Sequence, residues 1–348
     1  MKYRKLGRTD LEVSTLCLGS MSWGARNTEA EGHAQIDLAL DRGINFIDTA
    51  EMYPADPLPE DHFGRTEEII GTWLAKTGRR GDIVLASKIS GEGAKRGTAG
   101  GAPITPETIG PALDASLKRL QTDCIDLYQL HWPNRGSYHF RRYWHYDPTG
   151  RNPEGTRQNI ADVLGELQRQ IEAGKIRHVG LSNETAWGTA QFIRASEEHG
   201  LPRVASIQNE YSLMCRIFDT DLAELCCNED VDLICFSPLA GGILSGQYAG
   251  DTIPRGSRRE RNPELGGRIT GNLWPAHDAY MALAKEHGLS PVQMALAFCL
   301  TRPFMGAAIF GTSSVEQLEE VLGTADLTLS DEVMDGIAAV YRRHPMPI

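Results

Sequence analysis

An aspartate, a lysine and a histidine stand at the ends of three successive apolar runs: Asp48 closes INFID, Lys88 follows IVLAS and His131 follows IDLYQL. Further runs give way to Ser182 and Asn183, to Gln208 and Asn209, to Ser237, and to Gly311 and Thr312. A single polar residue after an apolar run needs no function, because connecting segments are polar anyway. An Asp, a Lys and a His in succession point instead to a shared site, provided the runs are parallel strands whose ends open on one mouth. The Asp and the Lys would pair there, since neither charge is tolerated alone away from water. Tyr53, in the stretch just after Asp48, can fold back over that pair. A phenol beside an ammonium is expected to have its pKa lowered from about 10, which suits it to protonate a developing alkoxide. His131 can hydrogen-bond and polarise a carbonyl oxygen. Such a set suits carbonyl reduction but holds no electron source, so a bound dinucleotide would have to supply hydride.

The elements that must position these groups are short and regularly spaced. Strands are expected at 15–18, 44–48, 83–87, 125–130, 178–181, 205–208, 233–236 and 307–310, separated by segments of helical periodicity. In 106–120, Ile109, Leu113, Leu117 and Leu120 share one helical face, Thr105 suits the N-cap and Pro106 the first turn. Ser290 with Gln293, and Ser314 with Gln317, each spell a capping box. Eight strands alternating with helices make a parallel sheet, either open and doubly wound or closed. Count and length favour the closed (β/α)8 barrel. Residues 3–6 and 12–13 around Gly7–Asp10 read as a hairpin plugging its bottom, and a helix at 331–343 lies outside the repeat. No linker divides the chain, so one domain over 1–348 is expected. Three long loops, 89–104, 132–155 and 240–275, all follow strands and belong on the face where barrel enzymes keep their sites.

Composition narrows the function classes. The 348 residues are 41% hydrophobic and 23% charged, with no apolar run long enough to span a membrane and no signal-peptide core near the start. A cytoplasmic protein is expected. Net charge is −11, which argues against a nucleic-acid partner. Seven cysteines without a C-x-x-C spacing read as buried reduced thiols rather than disulfides or zinc ligands, and no metal site is expected.

The motifs LGSM, INFIDTAEMYP, ASK, QLHWP, GLSNET, IQNEYSL, FSPLAGG and GTSSVEQLEE, in this order and spacing, resemble the aldo-keto reductase superfamily. DTAEMYP, SLKRLQTD, GKIRHVGLSNETAWG and SPVQMALAF are most similar to its bacterial Tas-type branch. The resemblance runs from Tyr3 to about residue 340 and implies reduction of a small aldehyde or ketone with NADPH. It matches Asp48, Tyr53, Lys88 and His131 to the catalytic tetrad, with Tyr53 as proton donor. It matches Ser182, Asn183 and Gln208 to the nicotinamide carboxamide site, with Asp48, Ser20, Met21 and Phe236 beside the nicotinamide. Ser237, Pro238, Leu239, Ala240 and Gly241 match the pyrophosphate segment, and Gly311, Thr312, Ser313, Gln317 and Glu320 the adenosine and 2′-phosphate site. A helix beginning near Ser314 would attract that phosphate, although Gln317 can equally serve only to cap it. Three features depart from the pattern. Gln247 stands where the branch usually has Lys, Val321 replaces an Asn that often reads the adenine edge, and 311–320 holds no Lys or Arg. Arg258 matches a cofactor-binding arginine that can compensate. No G-x-G-x-x-G follows a strand, so a Rossmann site is not supported.

Loop 132–155 carries Trp132, Tyr138, Phe140, Tyr143, Trp144 and Tyr146 with Arg135, Arg141, Arg142 and Arg151. It reads either as a lid over the substrate or as a loop anchored by its aromatics, the arginines pairing with surface carboxylates. Two other function classes compete. One is a cofactor-binding regulatory or scaffold subunit, as in the aldo-keto-reductase-like potassium-channel β subunits, which commonly have Asn where this chain has His131. The other is a barrel hydrolase with paired carboxylates, Glu51 with Asp48 or Glu210, which leaves the cofactor motifs unexplained. Oligomeric state is open.

Overall fold

Eight parallel strands close on one another in the computed structural model, which describes residues 1–55 and 63–348. An antiparallel hairpin, β1 (Tyr3–Lys5) and β2 (Glu12–Ser14), precedes them. The barrel strands are β3 (Leu16–Gly19), β4 (Phe46–Asp48), β5 (Val84–Ile89), β6 (Ile125–Leu130), β7 (Ile176–Ser182), β8 (Val204–Glu210), β9 (Asp232–Phe236) and β10 (Met305–Phe310). They pair in chain order, and β10 closes the circle against β3. Helices α1 (Glu29–Asp41), α2 (Arg65–Thr77), α3 (Pro106–Leu120), α4 (Pro153–Glu172), α5 (Ala186–His199) and α6 (Asp221–Glu229) alternate with the strands. A short α7 (Arg258–Arg261) precedes α8 (Leu273–Glu286) and α9 (Pro291–Leu300); α10 (Val315–Leu322) and α11 (Asp331–Arg343) follow β10. This is the (β/α)8 barrel the strand count implies.

Most strand ends lie one or two residues from the expected bounds, and β5, β7 and β8 continue through Lys88, Ser182 and Asn209. The second barrel strand starts at Phe46 rather than at 44, because Ile44 N donates to Ala39 O (2.8 Å) to finish α1. The Asn45 side chain then ties the hairpin on, accepting from Ser14 N (2.8 Å) and donating to Glu12 O (2.9 Å). Helix α3 spans 106–120 as its periodicity requires, burying Ile109, Leu113 and Leu120. The two expected capping boxes are one-sided. Ser290 and Ser314 accept from the backbone of Gln293 and Gln317, but Gln293 Nε2 donates to Glu320 O and Gln317 Oε1 accepts from Ser313 N. Both amides find partners outside the first turn. Helix α11 packs on α8.

Period-two alternation divides the apolar residues into two sets. Leu18, Ile47, Leu85 and Tyr128 pack outward with the helices, while Cys17, Phe46, Val84, Ala86, Leu127, Ile234 and Ala307 fill the barrel with Leu6, Leu11 and Val13 from the hairpin region. The hairpin therefore plugs the barrel bottom, as expected. All seven cysteines are free thiols, five of them buried; Cys124 is half-buried and Cys227 exposed, which corrects the reading of uniformly buried thiols. Among the described residues no helix is long and apolar enough to cross a membrane.

Candidate active site

Continuing the inward alternation by one step replaces apolar residues with polar ones. Phe46 is followed by Asp48, Ala86 by Lys88, and Leu127 by Gln129 and then His131. Gly180, between them on the neighbouring strand, has no room for a side chain, because a Cβ would lie 2.9 Å from Ser206 Oγ and 3.1 Å from Gln129 Cγ. Lys88 Nζ donates to Asp48 Oδ2 (2.7 Å) and to Thr49 O (2.7 Å), and both side chains are buried. Asp48 Oδ1 accepts from Gln208 Nε2 (2.8 Å) and Gln129 Nε2 (3.2 Å), and Gln208 Nε2 also donates to Gln129 Oε1 (3.0 Å). Burial opposes the Lys88 ammonium, but Asp48 and Tyr53 outweigh it and its pKa is raised. Lys88 therefore stays charged, and Asp48 is satisfied on both oxygens.

Tyr53 lies over this pair, its ring centroid 4.8 Å from Lys88 Nζ and 5.8 Å from the His131 ring, which it meets edge-on. Its pKa is raised, not lowered as the sequence suggested. Removal from water is the largest influence, and the Lys88 charge offsets only part of it while Asp48 adds to the rise. A buried cation already neutralised by a carboxylate is a weaker pull on a phenol than a bare ammonium. Burial, helped by the Lys88 charge, holds the His131 pKa well below the usual imidazole value, so His131 is neutral. Asn183 Nδ2 donates to His131 O (2.9 Å), Ser182 Oγ to Gln208 O (2.9 Å) and Ser20 Oγ to Asp48 O (3.0 Å). The expected site residues on β3 to β8 thus form one connected group. Among the described residues, His131 Nδ1 and Asn183 Oδ1 are buried there without a partner.

The remaining expected residues form two further clusters. After Phe236, at the end of β9, Ser237, Ala240, Gly241 and Gly242 all adopt left-handed backbone (φ 54°, 50°, 72° and 95°). They wind 237–242 into a compact turn closed by Ala240 N to Ser237 O (2.8 Å) and Gly242 N to Leu239 O (3.0 Å). Gly311 and Thr312 follow β10 beside Gly19 and Ser20, because β10 pairs with β3. Beyond them Gln317 Oε1 accepts from Ser313 N and Oγ (2.9 Å each), and Glu320 accepts from Ser290 Oγ (2.7 Å). Val321 is buried. Met21 O accepts from Ala55 N (3.2 Å), two residues past Tyr53. Arg258 opens α7 after its cap Ser257, close enough that its charge acts on Tyr53.

The family model described as the aldo/keto reductase family matches residues 15–342. The chain belongs to the aldo/keto reductase family. Protein tas of Escherichia coli is 42% identical to it over 100% of this chain and 99% of its own length. An uncharacterized oxidoreductase, YrpG of Bacillus subtilis, is 31% identical over 96% of this chain and 94% of its own. Aldo-keto reductase yakc [NADP(+)] of Schizosaccharomyces pombe is 30% identical over 98% and 94%. The family and these relatives support an oxidoreductase acting on carbonyl compounds with a nicotinamide cofactor.

In this aldo/keto reductase several contacts escaped the sequence reading. Gln129 is fully buried and completes the Asp48 network; its signal was an amide two residues after Leu127 and two before His131, on the same face. Asn27 Nδ2 donates to Ser313 O (3.3 Å). Glu51, fully buried, accepts from Ser90 N (2.7 Å) and Thr98 N (3.0 Å) and so binds loop 89–104 to the Tyr53 segment. Nothing in the spacing of Glu51 or Asn27 announced these bonds.

The segment expected as loop 132–155 ends at Asn152, where α4 begins, and is anchored by both its aromatics and its arginines. Trp132 meets Phe140 (6.4 Å) and Tyr138 meets Tyr146 (5.8 Å) edge-on, while Trp144 remains exposed. Arg135 pairs with Glu184 and Arg141 with Glu210, both buried carboxylates rather than surface ones. Arg151 donates to the carbonyls of Arg135 and Asp147, and Arg142 is exposed. His139 Nε2 meets Glu184 O at 2.9 Å. Burial lowers the His139 pKa to about 4, against weaker upward pulls from that carbonyl and Glu210. The unfolded imidazole titrates near 6.5. Between these values only the unfolded chain takes up the proton, so stability is whole above about pH 6.5 and falls as pH drops, by about 1.4 kcal/mol per pH unit at the steepest. Relative to wild type, His139→Gln is expected to gain stability between about pH 7 and about pH 5. Urea unfolding of both proteins measures this, and a constant difference across that interval would contradict it.

Proposed function

We propose that this chain reduces an aldehyde or ketone with NADPH, as one barrel domain acting in the cytoplasm, with Tyr53 as the general acid. The observation that carries the reading is the buried Lys88–Asp48 pair, with Lys88 Nζ 4.8 Å from the Tyr53 ring centroid, beside a neutral His131. The surrounding residues fit a nicotinamide: Asn183 Oδ1 is a buried acceptor in want of a donor, which a carboxamide provides. Ser182, Gln208 and Asp48 border the same space, and the 237–242 turn suits a pyrophosphate. When bound, the cofactor supplies the hydride.

The raised Tyr53 pKa keeps the phenol protonated near neutrality, the form that can donate. His131 holds the carbonyl oxygen and polarises it. As that oxygen gains negative charge, the Tyr53 hydroxyl delivers its proton, and the Lys88 ammonium stabilises the phenolate left behind. Asp48 and its two glutamines keep the ammonium in place, and water returns the proton to Tyr53 after the alcohol leaves. Carbonyl-dependent NADPH oxidation by the purified protein, over a panel of aldehydes and ketones, tests the reading. Tight cofactor binding without turnover on any of them would favour the regulatory-subunit alternative instead.

Preference for NADPH over NADH rests on Arg258, since 311–320 has no cation and three glutamates, Glu316, Glu319 and Glu320, surround Gln317. Replacing Arg258 with Ala is expected to weaken NADPH about tenfold and NADH less, a loss of the size of one charge-assisted contact. Fluorescence titration with both cofactors reads the gap; equal weakening of the two would sink the assignment.

A further inference from the structure

Three chain segments far apart in sequence meet at one buried carboxylate. Glu210 closes β8 and accepts from Arg141 Nη1 (2.5 Å) in loop 132–155 and from Arg268 Nε (2.9 Å) in loop 240–275. All three side chains are about nine-tenths buried or more. On one side, Arg268 reaches the turn after β9: Nη2 donates to Ser237 Oγ (3.3 Å), Nη1 to Leu265 O (2.7 Å), and a Cβ on Gly241 would lie 3.7 Å from its Cδ. On the other side, Phe140 and Arg141 both sit in left-handed backbone (φ 58° and 62°), a conformation that costs energy in residues with side chains. The ion pair holds them there. Phe140 in turn meets Trp132, and Trp132 lies 4.9 Å from the His131 ring. A continuous set of contacts therefore runs from Ser237 through Arg268, Glu210, Arg141, Phe140 and Trp132 to His131.

We propose that Glu210 is a positioning residue that holds the turn after β9 and loop 132–155 in register, so that cofactor on the one and carbonyl substrate under the other are coupled. This rests on the reading that 237–241 meets the cofactor. Two guanidiniums share one carboxylate, so the cluster carries a surplus positive charge out of water. Removing Arg141 leaves a balanced pair, whereas removing Glu210 leaves two buried cations that repel. Arg141→Gln is therefore the informative variant, because it cuts the loop free without unbalancing the core. Coupling is reciprocal: what orders the loop for substrate must also register cofactor binding.

The test compares wild type, Arg141→Gln and Arg141→Lys by NADPH titration, steady-state kinetics on a reducible aldehyde, and amide hydrogen exchange over 137–145 with and without NADPH. In wild type, NADPH is expected to slow exchange across 137–145. Arg141→Gln is expected to keep its NADPH affinity within about twofold, raise the aldehyde KM about tenfold, change kcat by less than about threefold, and lose the NADPH-dependent protection. Arg141→Lys, which retains the charge, should recover part of the KM. An Arg141→Gln protein with wild-type KM, or with loop protection by NADPH equal to wild type, overturns the proposal. So does a wild type that binds NADPH with no change in exchange over 137–145. A wild type that binds no NADPH instead overturns the cofactor assignment itself, and the coupling with it.

Discussion

Replacement of Tyr53 by Phe is expected to lower kcat for carbonyl reduction by about 10²–10⁴-fold, the usual worth of a positioned general acid. The change removes one oxygen and leaves the ring, so contacts with Lys88 and His131 at 4.8 and 5.8 Å survive. Folding and NADPH binding should accordingly persist. His131 cannot take over the proton transfer, because burial keeps its imidazole uncharged well below neutrality. Lys88 is committed to Asp48 and Thr49 O and is raised in pKa, so it too is a poor donor. Single-turnover NADPH oxidation with saturating aldehyde isolates the chemical step. Equal rates in the variant and wild type would remove Tyr53 from the mechanism.

The second large effect concerns stability. Lys88→Met leaves the Asp48 carboxylate at 3% exposure with only two amide donors. Breaking a buried pair in this way costs about 3–5 kcal/mol. The Asp48→Asn, Lys88→Met double replacement removes both charges, and it is expected to recover more than half of that loss, since the penalty lies in the orphaned charge and not in the missing bond. Activity should stay low in both, because neither retains the ammonium that stabilises a Tyr53 phenolate. Urea unfolding of the two variants and wild type provides the measurement. A double variant at least as unstable as Lys88→Met would show that the loss does not lie in the orphaned Asp48 charge, contrary to this account.

Much of the barrel and of its polar mouth can be read along the chain, for a definite reason. Parallel strands buried on both faces are short apolar runs, and their ends all open on the same side. Asp48, Lys88 and His131 were therefore recognisable as neighbours before any fold was known, and the hydrogen bonds from Gln208 and Asn183 extend that same layer. Capping was legible at the serines, whose bonds are local, and not at Gln293 and Gln317, whose amides chose partners outside the first turn. The Tyr53 pKa was misread because the sequence shows which charges are near, while burial depends on everything packed around them.

Sequence by itself placed the eight strands to within about two residues of their ends, and identified the polar residues that stand there and the family to which they belong. These follow from local periodicity and motif order, which need no third dimension. Only the tertiary structure decided that Gln129 completes the Asp48 network, that Glu51 ties loop 89–104 to the Tyr53 segment, and that Glu210 takes an arginine from each of two loops. Each of those contacts joins residues tens of positions apart through the shear of the barrel and the path of an irregular loop. Neither leaves a period in the sequence, so the pairing of charges above the barrel is settled by packing alone.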